Sequence, residues 1–183
     1  MKKLKKILIV FRKRPPLLQY IEAAFKRLGI AVETVDGEQN NYFDRYIIHS
    51  INKCMHNFRI LPKDQALFFN HPLAHRNYRH HNLVSTYHQF KPDLVLIIRG
   101  GPIWRDVLEK IKKTSLLFCW WIEREDGLEE IFKEIDLFDW YFIISSSSCV
   151  EIKKQKGLTN IGLLQHAVDP EVFHPIKDIK KKK

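Results

Sequence analysis

The chain has 183 residues, 45% hydrophobic and 28% charged, near the averages of soluble globular proteins, so the composition favours neither disorder nor a membrane class. Its net charge of +10 gathers at the ends, in Lys2, Lys3, Lys5 and Lys6 and in Lys177 and Lys180 to Lys183, offset by Asp178. Such runs read as solvated tails, and no signature of basic residues interleaved with aromatics lies between them, which argues against a specific nucleic-acid partner.

In chain order, the first apolar stretch, Ile7 to Phe11, is five residues long and is closed by Arg12, Lys13 and Arg14. A secretory core needs roughly 7–15 apolar residues and a small-residue cleavage site. The segment therefore reads as the first strand of a cytoplasmic protein, and the basic termini suggest at most a peripheral membrane contact. Strand-like runs recur at 6–12, 31–37, 93–100, 115–123, 139–145 and 160–166. Several are continuously apolar, as in strands covered on both faces. Helical spacing falls between them, at Pro16 to Leu28, Tyr42 to Phe58, Asn77 to Phe90, Ile103 to Lys112, Leu128 to Ile135 and Ser148 to Lys156, with Gly29 and Gly157 as stops. In the first helix Leu17, Leu18, Ile21, Ala24, Phe25 and Leu28 form one stripe. Asn57 to Arg76, with Pro62 and Pro72, reads as a loop with a short helix. The alternation predicts an α/β fold: a Rossmann-like, doubly wound, mainly parallel sheet with helices on both faces.

Cys54, Cys119 and Cys149 lack CxxC spacing and read as reduced thiols, Cys119 in the core. Five histidines between His71 and His88 lack a recognisable ligand spacing and read as a solvated or partly buried helix face, so no metal is expected.

Ligands of open α/β sheets bind beyond the carboxyl ends of strands, so the strand ends are the places to search. Arg12, Lys13 and Arg14 follow the first strand without the glycines of a dinucleotide or P-loop fingerprint. They either meet a phosphate or end the strand in solvent. Arg99, Gly100, Gly101 and Pro102 follow the third strand. This turn either lets a ligand approach the backbone or is merely tight. Trp120 to Gly127 combine two indoles with Glu123, Arg124, Glu125 and Asp126. The indoles suit stacking on a sugar or base and the carboxylates general-base work, although one tryptophan belongs in the core and acids also favour a following helix N-terminus.

The segment Asn160 to Pro175, NIGLLQHAVDPEVFHP, resembles the end of the amino-terminal domain of GT-B glycosyltransferases. There a strand runs into a histidine and then a "GVD…F" turn that crosses to the donor domain. The resemblance is closest to the spore-coat-maturation glycosyltransferase-like group, within the family 1/4-like transferases, whose signature reads "LPHGVDPEVFHP". Gln165 stands where proline is usual and Ala167 where glycine is usual. KPDLVLIIRGG at 91–101 and WWIERED at 120–126 stand where that group has its "PDLVL" strand and tryptophan-acidic loop.

The resemblance implies an acceptor-side domain over residues 1–165 and a hinge with a basic tail over 166–183, leading to a separate donor-binding domain. It implies hexosyl transfer from a nucleotide-sugar to an unknown acceptor, with no cofactor or metal, and inactivity without the second domain. Catalytic roles fall to His166, Glu123 and Asp126, and substrate contacts to Arg99, Gly100, Gly101, Trp121 and Arg124. The rival expectation is a stand-alone, non-catalytic binding module on the same sheet. A receiver- or flavodoxin-like domain fits the order of elements but lacks the acidic pair of the one and the phosphate loop of the other.

Overall fold

A computed structural model describes residues 4–11, 17–37, 41–98, 103–122 and 135–167. Six parallel strands form one sheet: β1 (Lys6–Phe11), β2 (Ala31–Asp36), β3 (Leu94–Ile98), β4 (Leu116–Trp121), β5 (Trp140–Ile143) and β6 (Ile161–Leu163), in the order β2-β1-β3-β4-β5-β6. The chain adds strands on one side of β1 and then returns to add the rest on the other. The order therefore reverses between β1 and β3, where the register pairs Phe11 with Ile98 at the carboxyl ends. The fold is Rossmann-like and doubly wound.

Alternating side chains divide the apolar strands between two core layers. Ile7, Ile9, Phe11, Leu94, Ile98 and Trp120 pack with Leu18, Ile21 and Phe25 of α1 (Leu18–Arg27). Leu8, Val95, Leu117, Cys119, Trp121 and Tyr141 belong to the other layer. That layer is covered by α3 (His75–Phe90), α4 (Arg105–Lys112) and α5 (Ser146–Lys156) through Leu83, Leu108 and Ile152. Each fully buried Leu or Ile contributes about 1.5–3 kcal/mol of hydrophobic stabilisation, which makes these layers the main source of stability.

The amino edge of the sheet is fixed by side-chain clamps. Asp93 Oδ2 accepts the backbone N–H groups of Lys5 and Lys6, both at 3.0 Å. Asp139 Oδ2 accepts that of Leu117 at 2.8 Å, and Asn160 Nδ2 donates to the Phe138 carbonyl at 2.7 Å. These carboxylates align neighbouring strands and so have a structural use.

The element boundaries differ from the sequence expectation in informative ways. The α3 helix starts at His75, two residues before the expected Asn77, and α5 at Ser146 rather than Ser148. Ser145 caps α5, its Oγ accepting the Ser148 N–H, so the serine run is a helix start. Leu28 falls beyond α1 and is exposed, because the helix ends before its stripe is complete. The segment expected as one helix from Tyr42 contains a π-helical turn, Asp44–Ile48, followed by α2 (His49–Asn57). The short helix expected between 57 and 76 is absent; residues 58–74 form successive turns, with Arg59 and Phe68 at positive φ. The expected helix from Leu128 lies outside the described residues except for Ile135, which opens a 3-10 turn (Ile135–Leu137). Cys54, Cys119 and Cys149 are free thiols, the last two buried.

Candidate functional site

The carboxyl edge holds the switch point between β1 and β3 and is the ligand-binding end of such sheets. The chain leaves it after Phe11 and Ile98, adjacent register partners, toward Arg12 to Arg14 and toward Arg99, Gly100 and Gly101. Those residues, with Glu123, Arg124 and Asp126, lie outside the described residues.

Of the candidate residues, His166 and Trp121 are described. His166 is exposed beyond β6, at the far side of the sheet from β2. The chain does not simply run off that edge. Trp120, on β4, donates its indole N–H to the Leu164 carbonyl at 2.9 Å, and its ring lies 5.6 Å from the His166 imidazole. This bond draws residues 164–166 back across β5 toward β4, one strand from the switch point. Gly162 assists, since a Cβ there would stand 3.1 Å from the Phe142 ring.

The two adjacent tryptophans take opposite faces. Trp120 is 8% exposed in the α1 layer and Trp121 7% exposed in the layer of α3, α4 and α5. Both indoles are thus core residues, and Trp121 presents almost no ring surface to solvent. Its Nε1 is buried with no hydrogen-bond partner among the described residues. Trp120 is the indole that touches His166.

A second pair at the same edge comes from α3 and the start of α4. His80 is 5% exposed, its ring stacks on Trp104 with centroids 3.9 Å apart, and its Nε2 accepts the Trp104 backbone N–H at 2.9 Å. That bond requires Nε2 to be unprotonated and leaves the other ring nitrogen to carry the proton. Trp104 occupies the N-cap position of α4, immediately after the Arg99–Pro102 turn, and its side chain offers no cap to the helix. His80 meets one of the N–H groups left open at the helix start. Of the solvated or partly buried histidine face expected from the sequence, His80 is the buried member, while His81 and His88 are exposed. A signal for this was present: His80, Leu83, Val84, Tyr87 and Phe90 share one helical stripe.

Next to Trp104, Arg105 forms an exposed ion pair with Asp136 at 2.9 Å. The hydrogen bond from Arg105 holds the Asp136 carboxyl below its ordinary pKa, and the same bond raises that of Arg105. A cleft of about 560 Å³ lies at the opposite, amino edge, lined by Tyr87, Lys91, Lys113 and Thr114 among others. It sits where α3 and α4 end, so helix carbonyls rather than free N–H groups face it. Tyr87 Oη is already engaged there with Thr114 and Ser115. These features make the cleft a weaker ligand site than the carboxyl edge despite its volume. Among the described residues no group of three His, Cys, Asp or Glu side chains is placed to hold a metal ion.

Neither a protein-family model nor a curated protein nor a solved structure matches this chain.

Proposed function

We propose that the chain is the acceptor-side domain of a GT-B-type glycosyltransferase, its carboxyl edge forming half of a cleft whose other half holds a nucleotide-sugar. The observation that carries this reading is the placement of His166: exposed at the end of the last strand, yet held against Trp120. A residue that positions a sugar donor needs an anchored neighbouring backbone and a ring open to solvent; the Trp120 bond to Leu164 and the exposure of His166 agree with that. The doubly wound sheet agrees with the reading, but such sheets serve many chemistries and the fold alone carries no function.

Under this reading His166 contacts the donor, while Glu123 or Asp126 handles the acceptor proton. Arg99, Gly100, Gly101 and Arg124 bind substrate. Trp121, buried as it is, has almost no ring surface to stack on a sugar.

The test is turnover of a panel of radiolabelled nucleotide-sugars by the 183-residue chain and by the chain continued through any coding sequence in frame after Lys183. Turnover is expected only in the continued form and is lost in His166→Ala. Turnover by the 183-residue chain alone would refute the half-cleft. A continued form that binds no nucleotide-sugar, or a stop codon directly after Lys183, would favour a non-catalytic binding module.

A further inference from the structure

We propose that the segment between β2 and α3, residues 41–74, is a docking surface for anionic membrane lipid. Of the sixteen exposed large hydrophobic residues among the described ones, ten lie between Tyr42 and Leu73. Tyr42 is 74% exposed, Phe58 73%, Ile60 62% and Phe69 60%, and α2 buries none of its residues. An apolar concentration of this kind marks an interaction surface.

Three partly buried asparagine side chains bind the backbone of the segment. Asn52 grips Leu67 from both sides, accepting its N–H at 2.6 Å and donating to its carbonyl at 3.2 Å. Asn41 donates to the Leu73 carbonyl at 2.8 Å, and Asn77 to those of His71 and Phe69 at 2.9 and 3.1 Å. The ring of His71 contacts those of both Phe43 and Phe68. Polar side chains are thus engaged with the backbone while large apolar ones are left exposed, the reverse of the usual arrangement of a surface loop.

Charge selects the occupant. Arg45, Lys53, Arg59 and Lys63 are exposed around the apolar side chains, against Asp44 and Asp64. A second copy of the chain on the same face would set these cations against one another. An anionic bilayer accommodates both features, with cations at the headgroups and apolar rings below them. Tyr42 and Tyr46, whose rings stack 6.2 Å apart, have the apolar body and polar tip that suit that boundary. No helix among the described residues is long and apolar enough to cross a membrane, so the contact is one of lying on the surface. The segment follows the carboxyl end of β2 and precedes α3, which places it at the same edge as the candidate site. The proposal does not depend on the sugar-transfer reading.

Flotation of the 183-residue protein with vesicles tests it, using phosphatidylcholine alone and with about 30% phosphatidylglycerol. Binding is expected to the anionic vesicles, weakened about tenfold or more by the combined Phe58→Ser, Ile60→Ser and Phe69→Ser variant. These positions are exposed, so the thermal unfolding midpoint should not move. Should that variant misfold, Arg59→Glu with Lys63→Glu gives the same test through charge. Lys110→Gln, Lys113→Gln and Lys153→Gln together, at the amino edge, should change binding by less than about twofold. Absence of vesicle binding, or binding lost in the lysine variant and kept in the apolar one, would overturn the proposal. So would a dimer of the parent protein that the apolar variant abolishes, since the face would then join two copies.

Discussion

The sheet and the 41–74 segment use the same residue types in opposite senses. In the sheet, Leu8, Val95 and Leu117 are fully buried and the backbone satisfies itself through the parallel ladder. In the segment, Asn41 and Asn52, with Asn77 of α3, add side-chain bonds to the backbone at Leu67, Phe69, His71 and Leu73, and ten large apolar side chains are exposed. Hydrophobic content alone therefore does not locate a core. What decides is whether a neighbouring element covers the residue, and nothing among the described residues covers Phe58 or Ile60.

The largest expected effect comes from breaking the sheet side of this contrast. Leu117→Ala removes a fully buried side chain of β4 in the layer of α4 and should cost about 2–5 kcal/mol by chemical denaturation, whereas Phe58→Ser should leave global stability unchanged. His80→Ala strips the partner from the Trp104 N–H at a half-buried helix start; a loss of about 1–3 kcal/mol in the same assay is expected. Asn52→Ala removes the clamp on Leu67, at an expected cost of about 0.5–1.5 kcal/mol, and should raise amide exchange in 58–74 before it affects the strands. The smallest effect belongs to the exposed Arg105–Asp136 pair. Because Asp136 has a lowered folded-state pKa, its contribution is present above the unfolded carboxyl pKa and is lost as pH falls through the folded value. A pH series of melting temperatures for Asp136→Asn should differ from the parent only slightly, and only above that window.

Much of the frame was legible in the sequence because continuous apolar runs have few other uses. LVLII and LLFCWW could hardly be anything but central strands, and both are, as β3 and β4. Their lateral order was less accessible, since local spacing says nothing about which strands pair. The Trp120-Trp121 dipeptide shows the limit of residue-type reasoning at the site. Two indoles beside carboxylates suggested a stacking surface, but strand alternation sends one into each core layer. The burial of His80 was legible from its place on an apolar helix stripe; its contact with Trp104 was not, because the two residues are far apart in sequence. The outward turn of 41–74 was not readable, because periodicity identifies residues that share a face without saying whether that face is covered.

The central claim is that the carboxyl edge, between the switch point and His166, is where ligand binds. Backbone and indole N–H chemical shifts of the isotope-labelled 183-residue protein, titrated with nucleotide-sugars and oligosaccharide acceptors, test it directly. The account predicts shifts at the Trp120 indole, His166 and Trp104, with Lys6, Asp93 and Asp139 unmoved. Shifts centred on Tyr87, Lys113 and Thr114 in the cleft at the amino edge would contradict it.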